Sequence, residues 1–261
     1  MTISRAAVLG ATLFAGIAVQ AQAVLPFTVS LESENPGAQN STSGFFSVGV
    51  EDFNARNNGE PQNFNTSFDG SVFSGVYTGV GVNNADQYGG ADGTGKYANA
   101  QSNNTYTLDL TSSEPGGVTY FGFWLSALDG NNNVSFYQGG NLLFTYTAAN
   151  AAAFINGLPN SGDYRGNPNA NFLNQNDGEP YSFLNFYARG GTRFDQVVFS
   201  QGSSGGYESD NHTVGRWSRM SGTIIGGNMD VPEPATWAML VTGFGLVGFS
   251  ARRRRNTAIA A

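Results

Sequence analysis

Between Thr119 and Thr147 the apolar positions come in short aromatic and β-branched runs, broken by glycine, asparagine and aspartate. Tyr120–Leu125 (YFGFWL) reads as a strand, Asp129–Asn133 (DGNNN) as a turn of residues that accept positive φ, and Val134–Gln138 as the next strand. Gly139–Asn141 forms a second turn and Leu142–Thr147 a third strand, so the stretch predicts a three-stranded meander. The same signals place strands at Gly44–Val50, Thr105–Leu110, Ser182–Ala188, Phe194–Ser200 and Gly206–Thr213. Ala148–Asn156 suits a short helix, and asparagine-rich Leu158–Glu179 reads as a loop long enough to be functional or mobile. Residues 54–104 are rich in glycine and asparagine and show little periodicity. Many short strands with frequent turns predict an all-β body, a jelly-roll-like β-sandwich. Alternation directs Phe121, Phe123, Phe136, Phe144, Phe183 and Phe186 into its core.

The two ends follow other patterns. Arg5 precedes 14 apolar or small residues, Ala6–Val19, and Ala21-Gln22-Ala23 closes the segment as an A-x-A cleavage site. Residues 1–23 therefore read as a secretory signal peptide, too short to span a bilayer. At the other end Ala235–Ala251 runs for 17 residues without a charge. At 1.5 Å rise per residue this is the lower limit for a single transmembrane helix. Trp237 stands at an interfacial depth, and Arg252, Arg253, Arg254 and Arg255 stop transfer on the cytoplasmic side. Pro232 and Pro234 hold the chain extended just outside the membrane. The domains expected are 1–23, a β-sandwich over 24–230, and a sorting segment over 231–261.

Pro232, Glu233, Pro234, Trp237 and Ala238, then the apolar span and the arginine cluster, resemble the PEP-CTERM sorting signal in its PEPxxWA form. The tail Asn256–Ala261 is slightly longer than in many members. The resemblance implies that an exosortase, a membrane-embedded protease or transpeptidase-like enzyme, is the processing partner. It also implies that the helix holds the chain in the inner membrane until the tail is removed, leaving the body at the cell surface or outside. The body, over roughly 44–215, resembles that of exosortase-dependent surface proteins, through FGFW…DGNNNVSFYQGG, FLNFYA and FDQVVFSQ…GGYESDNHTVG. Its closing strands also resemble those of carbohydrate-binding jelly rolls.

Charge narrows the partners. Only 12% of residues are charged, and Lys96 is the only lysine. Without Arg5 and Arg252–Arg255 the body keeps seven basic residues against eighteen acidic ones, Glu233 set aside, a net of −11. Nothing here supplies the basic patch that nucleic acid requires. The chain has no cysteine and one histidine, which excludes thiol catalysis, zinc–thiolate sites and multi-histidine metal sites.

Candidate chemistry is sparse. In a jelly roll the first and last strands pair, so Glu51 and Asp52 could meet Glu208 and Asp210 in a structural calcium site, since calcium takes six to eight oxygens. Exposed carboxylates on strand ends are the other reading. In jelly-roll sugar-binding modules that the body resembles, such a site holds terminal strands together. Asp86–Asp92 lacks the spacing and terminal glutamate of an EF-hand and reads as a flexible loop. His212 lacks a G-x-S-x-G partner and reads as a surface or capping residue, and no motif singles out a glycosidase carboxylate pair. Trp124, Tyr137, Tyr164, Tyr181 and Trp217 are candidates for stacking on sugars. The reading reached is a non-enzymatic surface or matrix protein, structural or adhesive in an exopolysaccharide layer. A carbohydrate-binding module is the alternative, and a secreted glycan hydrolase a third.

Overall fold

The computed structural model describes residues 26–32, 37–128 and 130–227. The signal segment with Ala21 and Ala23, the sorting segment from Val231 onward and Asp129 of the expected turn lie outside the described residues. No helix among the described residues is long and apolar enough to cross a membrane, and the Ala235–Ala251 span lies outside them.

Among the described residues, thirteen strands build the body. They are β1 Phe27–Leu31, β2 Gly44–Glu51, β3 Gly59–Thr66, β4 Phe73–Asn84, β5 Lys96–Gln101, β6 Thr105–Ser112 and β7 Tyr120–Ser126. Then come β8 Asn132–Gln138, β9 Asn141–Thr147, β10 Ser182–Ala188, β11 Gln196–Gln201, β12 Gly206–Arg219 and β13 Thr223–Gly227. One helix, α1 Ala148–Asn156, follows β9 as expected. The strands hydrogen-bond in the order β13-β1-β10-β7-β12-β5-β4-β6-β11-β8-β9, with β2 on β12 and β3 on β4. First and last strands do pair, antiparallel, with Thr28 opposite Gly227. Contacts gather Leu25–Met229 into one unit.

The sheet curls so that strands far apart in its order face each other. Phe27 of β1 stacks on Phe144 of β9 with centroids 5.2 Å apart, and Phe121 of β7 meets Phe199 of β11 edge-on at 5.9 Å. Phe136 of β8 lies 5.1 Å from Phe186 of β10. Burying aromatic rings of this size, each with 150–250 Å² of surface, supplies the main drive for closure. Phe121, Phe123, Phe136, Phe183 and Phe186 are buried and Phe144 is half-buried, in keeping with the alternation. Phe183 differs in direction: it packs with Trp124 and Tyr181 in a small cluster apart from the main core.

The expected meander does not form. β8 and β9 are a hairpin, but β7 pairs with β10 and β12, and β8 pairs with β11. After β7 the chain turns at Ala127, φ 49°, and crosses to the opposite half of the curl. Phe121 and Phe136 thereby pack across the core instead of side by side. Three strands, β3, β4 and β5, also occupy the stretch 54–104 that shows little periodicity.

A bulge in β12 decides where its polar residues point. Asp210 lies opposite Trp124 but Thr213 lies opposite Gly122, so one extra residue sits between them. Asn211 absorbs it with φ 50°. A single inserted residue reverses the alternation beyond it. Tyr207 and Ser209 face inward and Glu208 and Asp210 outward; after the bulge His212 and Val214 face inward.

His212 is therefore a core residue, which corrects the reading of it as a surface or capping group. It is fully buried, stacked on Phe199 at 5.1 Å, with Phe53 and Phe121 edge-on to it. Its Nδ1 shares a hydrogen bond with the Tyr77 hydroxyl at 2.9 Å, and its Nε2 with the Ser209 hydroxyl at 3.0 Å. Tyr106 shares a further hydrogen bond with Ser209 at 3.0 Å. Burial pushes the imidazole down to about 3, so it is neutral at pH 7. The neutral ring serves one donor and one acceptor, which is what a buried polar chain between two hydroxyls needs.

Candidate functional site

The outward face of β4, β5, β12 and β7 carries polar residues in rows set by register. Gly81 of β4 lies opposite Asn99 of β5, Asn99 opposite Glu208 of β12, and Glu208 opposite Ser126 of β7. One row along, Asn83 lies opposite Tyr97. The inward partners on the same strands, Val82, Ala98 and Ala100, belong to the core. Alternation thus puts Asn83, Tyr97, Asn99, Gln101 and Glu208 on one outer surface.

Two loops raise walls around this surface and leave a cavity of about 450 Å³. Its floor includes Asn83, Tyr97, Asn99, Gln101 and Glu208, and Asp86, Tyr88 and Glu179 come from the walls. The loop after β4 is held by Asp86, whose Oδ1 accepts the N–H groups of Tyr88 at 2.8 Å and Gly89 at 3.1 Å. The Tyr97 hydroxyl donates to Asp86 Oδ2 at 3.2 Å. Burial, with Asp86 and Glu208 adding to it, drives the Tyr97 phenol well up, so it remains a protonated donor.

The long 158–179 loop is stitched to this wall by asparagine side chains. Asn167 donates to Gln87 O at 3.1 Å, Asn169 to Gly90 O at 3.1 Å and Asn171 to Gly93 O at 2.9 Å. The Tyr181 hydroxyl donates to Gln87 O at 2.7 Å. Asparagine suits this task because its short amide can donate to the backbone carbonyls of the facing loop. Asp86–Asp92 is accordingly hydrogen-bonded into the wall of the cavity.

A smaller cavity of about 180 Å³ adjoins the first and shares Asn99 and Gln101 with it. Asn99 Nδ2 donates to Glu60 Oε1 at 2.7 Å, whereas Asn99 Oδ1 is buried and has no hydrogen-bond partner. Gly81 is required beneath it, since a Cβ there would collide with Asn99 Oδ1 and with the Glu60 side chain. Together the cavities form a groove across β4, β5 and β12.

The four carboxylates proposed for calcium are placed apart in role. Glu51, opposite His212 in register, accepts the Phe53 N–H at 3.0 Å and is ion-paired with Arg56. Asp52 is exposed and accepts the Asn54 N–H at 3.1 Å and side chain at 2.9 Å. Asp210 is buried beneath the 86–93 loop, accepting the Ala91 N–H at 2.7 Å and the Asn211 N–H at 2.7 Å. Burial pushes its carboxyl up to about 8; those two N–H groups pull it down, and Asp52 and Asp92 push it further up. Glu208 lines the groove. Among the described residues no three His, Cys, Asp or Glu side chains are placed to hold one metal ion, and these four carboxylates are not gathered at one point. Strand pairing brings β2 to β12, but Arg56 already supplies the positive charge at Glu51.

The aromatic candidates for sugar stacking fare unequally. Trp124, Tyr164 and Tyr181 are buried. Trp217 is half-buried; its indole N–H donates to Ala188 O at 3.1 Å and its ring meets Tyr187 edge-on. Tyr137 is half-buried on β8, away from the groove-lining strands. Two aromatic residues line the groove, buried Tyr97 on its floor and Tyr88, which is 43% exposed. Sequence alone does not single out Asn99, Gln101 or Glu179. The signal that finds the first two is the period-2 run Tyr97-Ala98-Asn99-Ala100-Gln101, whose core partners are alanines.

Comparison with curated proteins and with solved structures finds no match. Comparison with protein families finds one, described as the PEP-CTERM protein-sorting motif, over residues 230–255. The chain carries a PEP-CTERM sorting signal. The match takes in Pro232, Glu233, Pro234, Trp237, Ala238 and the arginines 252–255. A PEP-CTERM signal implies export and exosortase-dependent placement at the surface. The β-rich body is consistent with the body expected for such a protein.

Proposed function

We propose that the protein is exported, loses its C-terminal segment to an exosortase, and serves without catalysis as a structural or adhesive component of an exopolysaccharide layer. The observation that carries this reading is the PEP-CTERM motif at residues 230–255. In it two prolines, an apolar span of bilayer length and four arginines follow in that order. In this reading residues 1–23 direct export with cleavage after Ala23, and the 235–251 helix holds the chain in the membrane until processing. The acidic, almost lysine-free composition suits a body that works outside the cell and away from nucleic acid.

The test is processing in the native host. The Pro234→Ala chain is expected to accumulate at full C-terminal length, whereas the unaltered chain is trimmed; equal trimming of both removes the motif reading. A second reading, a carbohydrate-binding body, is favoured by the groove across β4, β5 and β12, with its amides, carboxylates and exposed Tyr88.

A further inference from the structure

We propose that the groove over β4, β5 and β12 binds an oligosaccharide whose sugars carry free amino groups, with Glu208, Asn99 and Tyr88 as its principal contacts. The inference deepens the adhesive reading above and rests on it for the class of polymer involved.

Four observations converge on that chemistry. The larger cavity is lined by Asp86, Glu179 and Glu208 and by no lysine or arginine, so it opposes an anionic ligand and favours a cationic one. The floor carries the amides of Asn83, Asn99 and Gln101, two of which, Asn99 and Gln101, already donate to Glu60 Oε1 at 2.7 and 3.3 Å, so the surface is one of amides and carboxylates, the chemistry that reads sugar hydroxyls. Asn99 Oδ1 is an acceptor without a protein partner on a residue 1% exposed, at the junction of the two cavities. A buried acceptor left without a partner is unfavourable, so the site gains when a ligand hydroxyl or ammonium reaches it. The Tyr88 ring, 43% exposed at the mouth, offers an aromatic face to a pyranose.

Shape adds to this. A volume of about 450 Å³ falls within the roughly 300–1,000 Å³ of small-molecule sites. The adjoining 180 Å³ cavity extends it past Asn99 and Gln101, as an oligomer requires. The floor is built on paired strands and the walls are hydrogen-bonded to each other, so the groove is formed before ligand arrives and little ordering cost is added on binding.

The experiment is titration calorimetry of the full chain in detergent micelles against three probes: a glucosamine hexamer, its fully N-acetylated counterpart, and spermine. Saturable binding of the glucosamine hexamer is expected, at least tenfold tighter than either of the others. Glu208→Gln is expected to weaken it about tenfold and Tyr88→Ala, at an exposed ring, several-fold, with a cooperative melting transition retained in both. Equal binding of the acetylated hexamer overturns the role of the amine. Equal binding of spermine shows a charge sink and overturns the saccharide. No binding by the unaltered chain overturns the site. Each of those failures leaves processing in the host untouched, whereas an untrimmed C-terminus in the host removes the surface reading and leaves the titration unaffected.

Discussion

The two faces of β12 treat polar residues in opposite ways. Inward, Ser209 and His212 sit among Phe121, Phe123 and Phe199, and their polar atoms are used up by one another, by Tyr77 and by Tyr106. Outward, Glu208 and its neighbour Asn99 face a groove, and Asn99 keeps an acceptor with no partner. Both faces carry polar side chains. The difference lies in closure: a closed chain of hydrogen bonds contributes to stability and uniqueness, while an unclosed one is disposed to take a ligand. Asp210 lies on the outward face but is sealed beneath a loop, and so belongs with the structural groups.

Substitutions separate the faces most sharply at the inner aromatic layer. Phe199 is fully buried and touches Tyr106, Phe121, Phe123, Tyr207 and His212. Phe199→Ala is expected to cost about 3–5 kcal/mol in urea denaturation. A loss below 1 kcal/mol would show that the two halves of the curl do not pack as described.

His212→Phe comes next. It keeps ring volume but leaves the Tyr77 and Ser209 hydroxyls without their shared partner, at a cost of about 1–3 kcal/mol. It also changes the pH response. The folded imidazole titrates at about 3 against 6.5 for the free group, so the unfolded chain binds the extra proton between those values. Stability from this site is full above pH 6.5 and is lost as the pH falls toward 3. Urea midpoints measured from pH 7 down to pH 3 are expected to fall less steeply in the variant; an identical slope would place His212 in contact with water.

Asp210 responds to pH with the opposite sign. Its folded carboxyl is raised to about 8 from 3.8, so its contribution is full below pH 3.8 and is lost as pH rises through 8. Asp210→Asn, which stays uncharged, is expected to flatten the decline in stability between pH 4 and pH 8. A decline of unchanged slope would mean that the loop over Asp210 admits solvent.

Much of this arrangement was readable where side chains are large and alternate. β2, β6, β7, β9 and β10 fall within one or two residues of their expected places, as do α1 and most of β8 and β11, because aromatic and β-branched runs bounded by Gly and Asn leave little choice. β5 escaped because its inward residues are Ala98 and Ala100, too small to mark a hydrophobic face. β3 escaped because GEPQNFNT, paired only with β4, buries little. The burial of His212 is not legible in the sequence: plain alternation puts it on the side of Glu208 and Asp210, and nothing local announces the bulge at Asn211. The groove was hidden for a related reason: Asn83, Asn99, Glu179 and Glu208 come from four distant segments, and only sheet register and the loop hydrogen bonds assemble them. The sorting signal needed no assembly, since its parts are consecutive.

Intact-mass measurement of the protein taken from its native host, with and without an active exosortase, tests the central claim most directly. The account predicts a mature chain beginning near Val24 and ending short of Ala235 in the presence of the enzyme, and a chain still carrying the segment through the arginines in its absence. A protein whose C-terminus extends to Ala261 in both strains would contradict it.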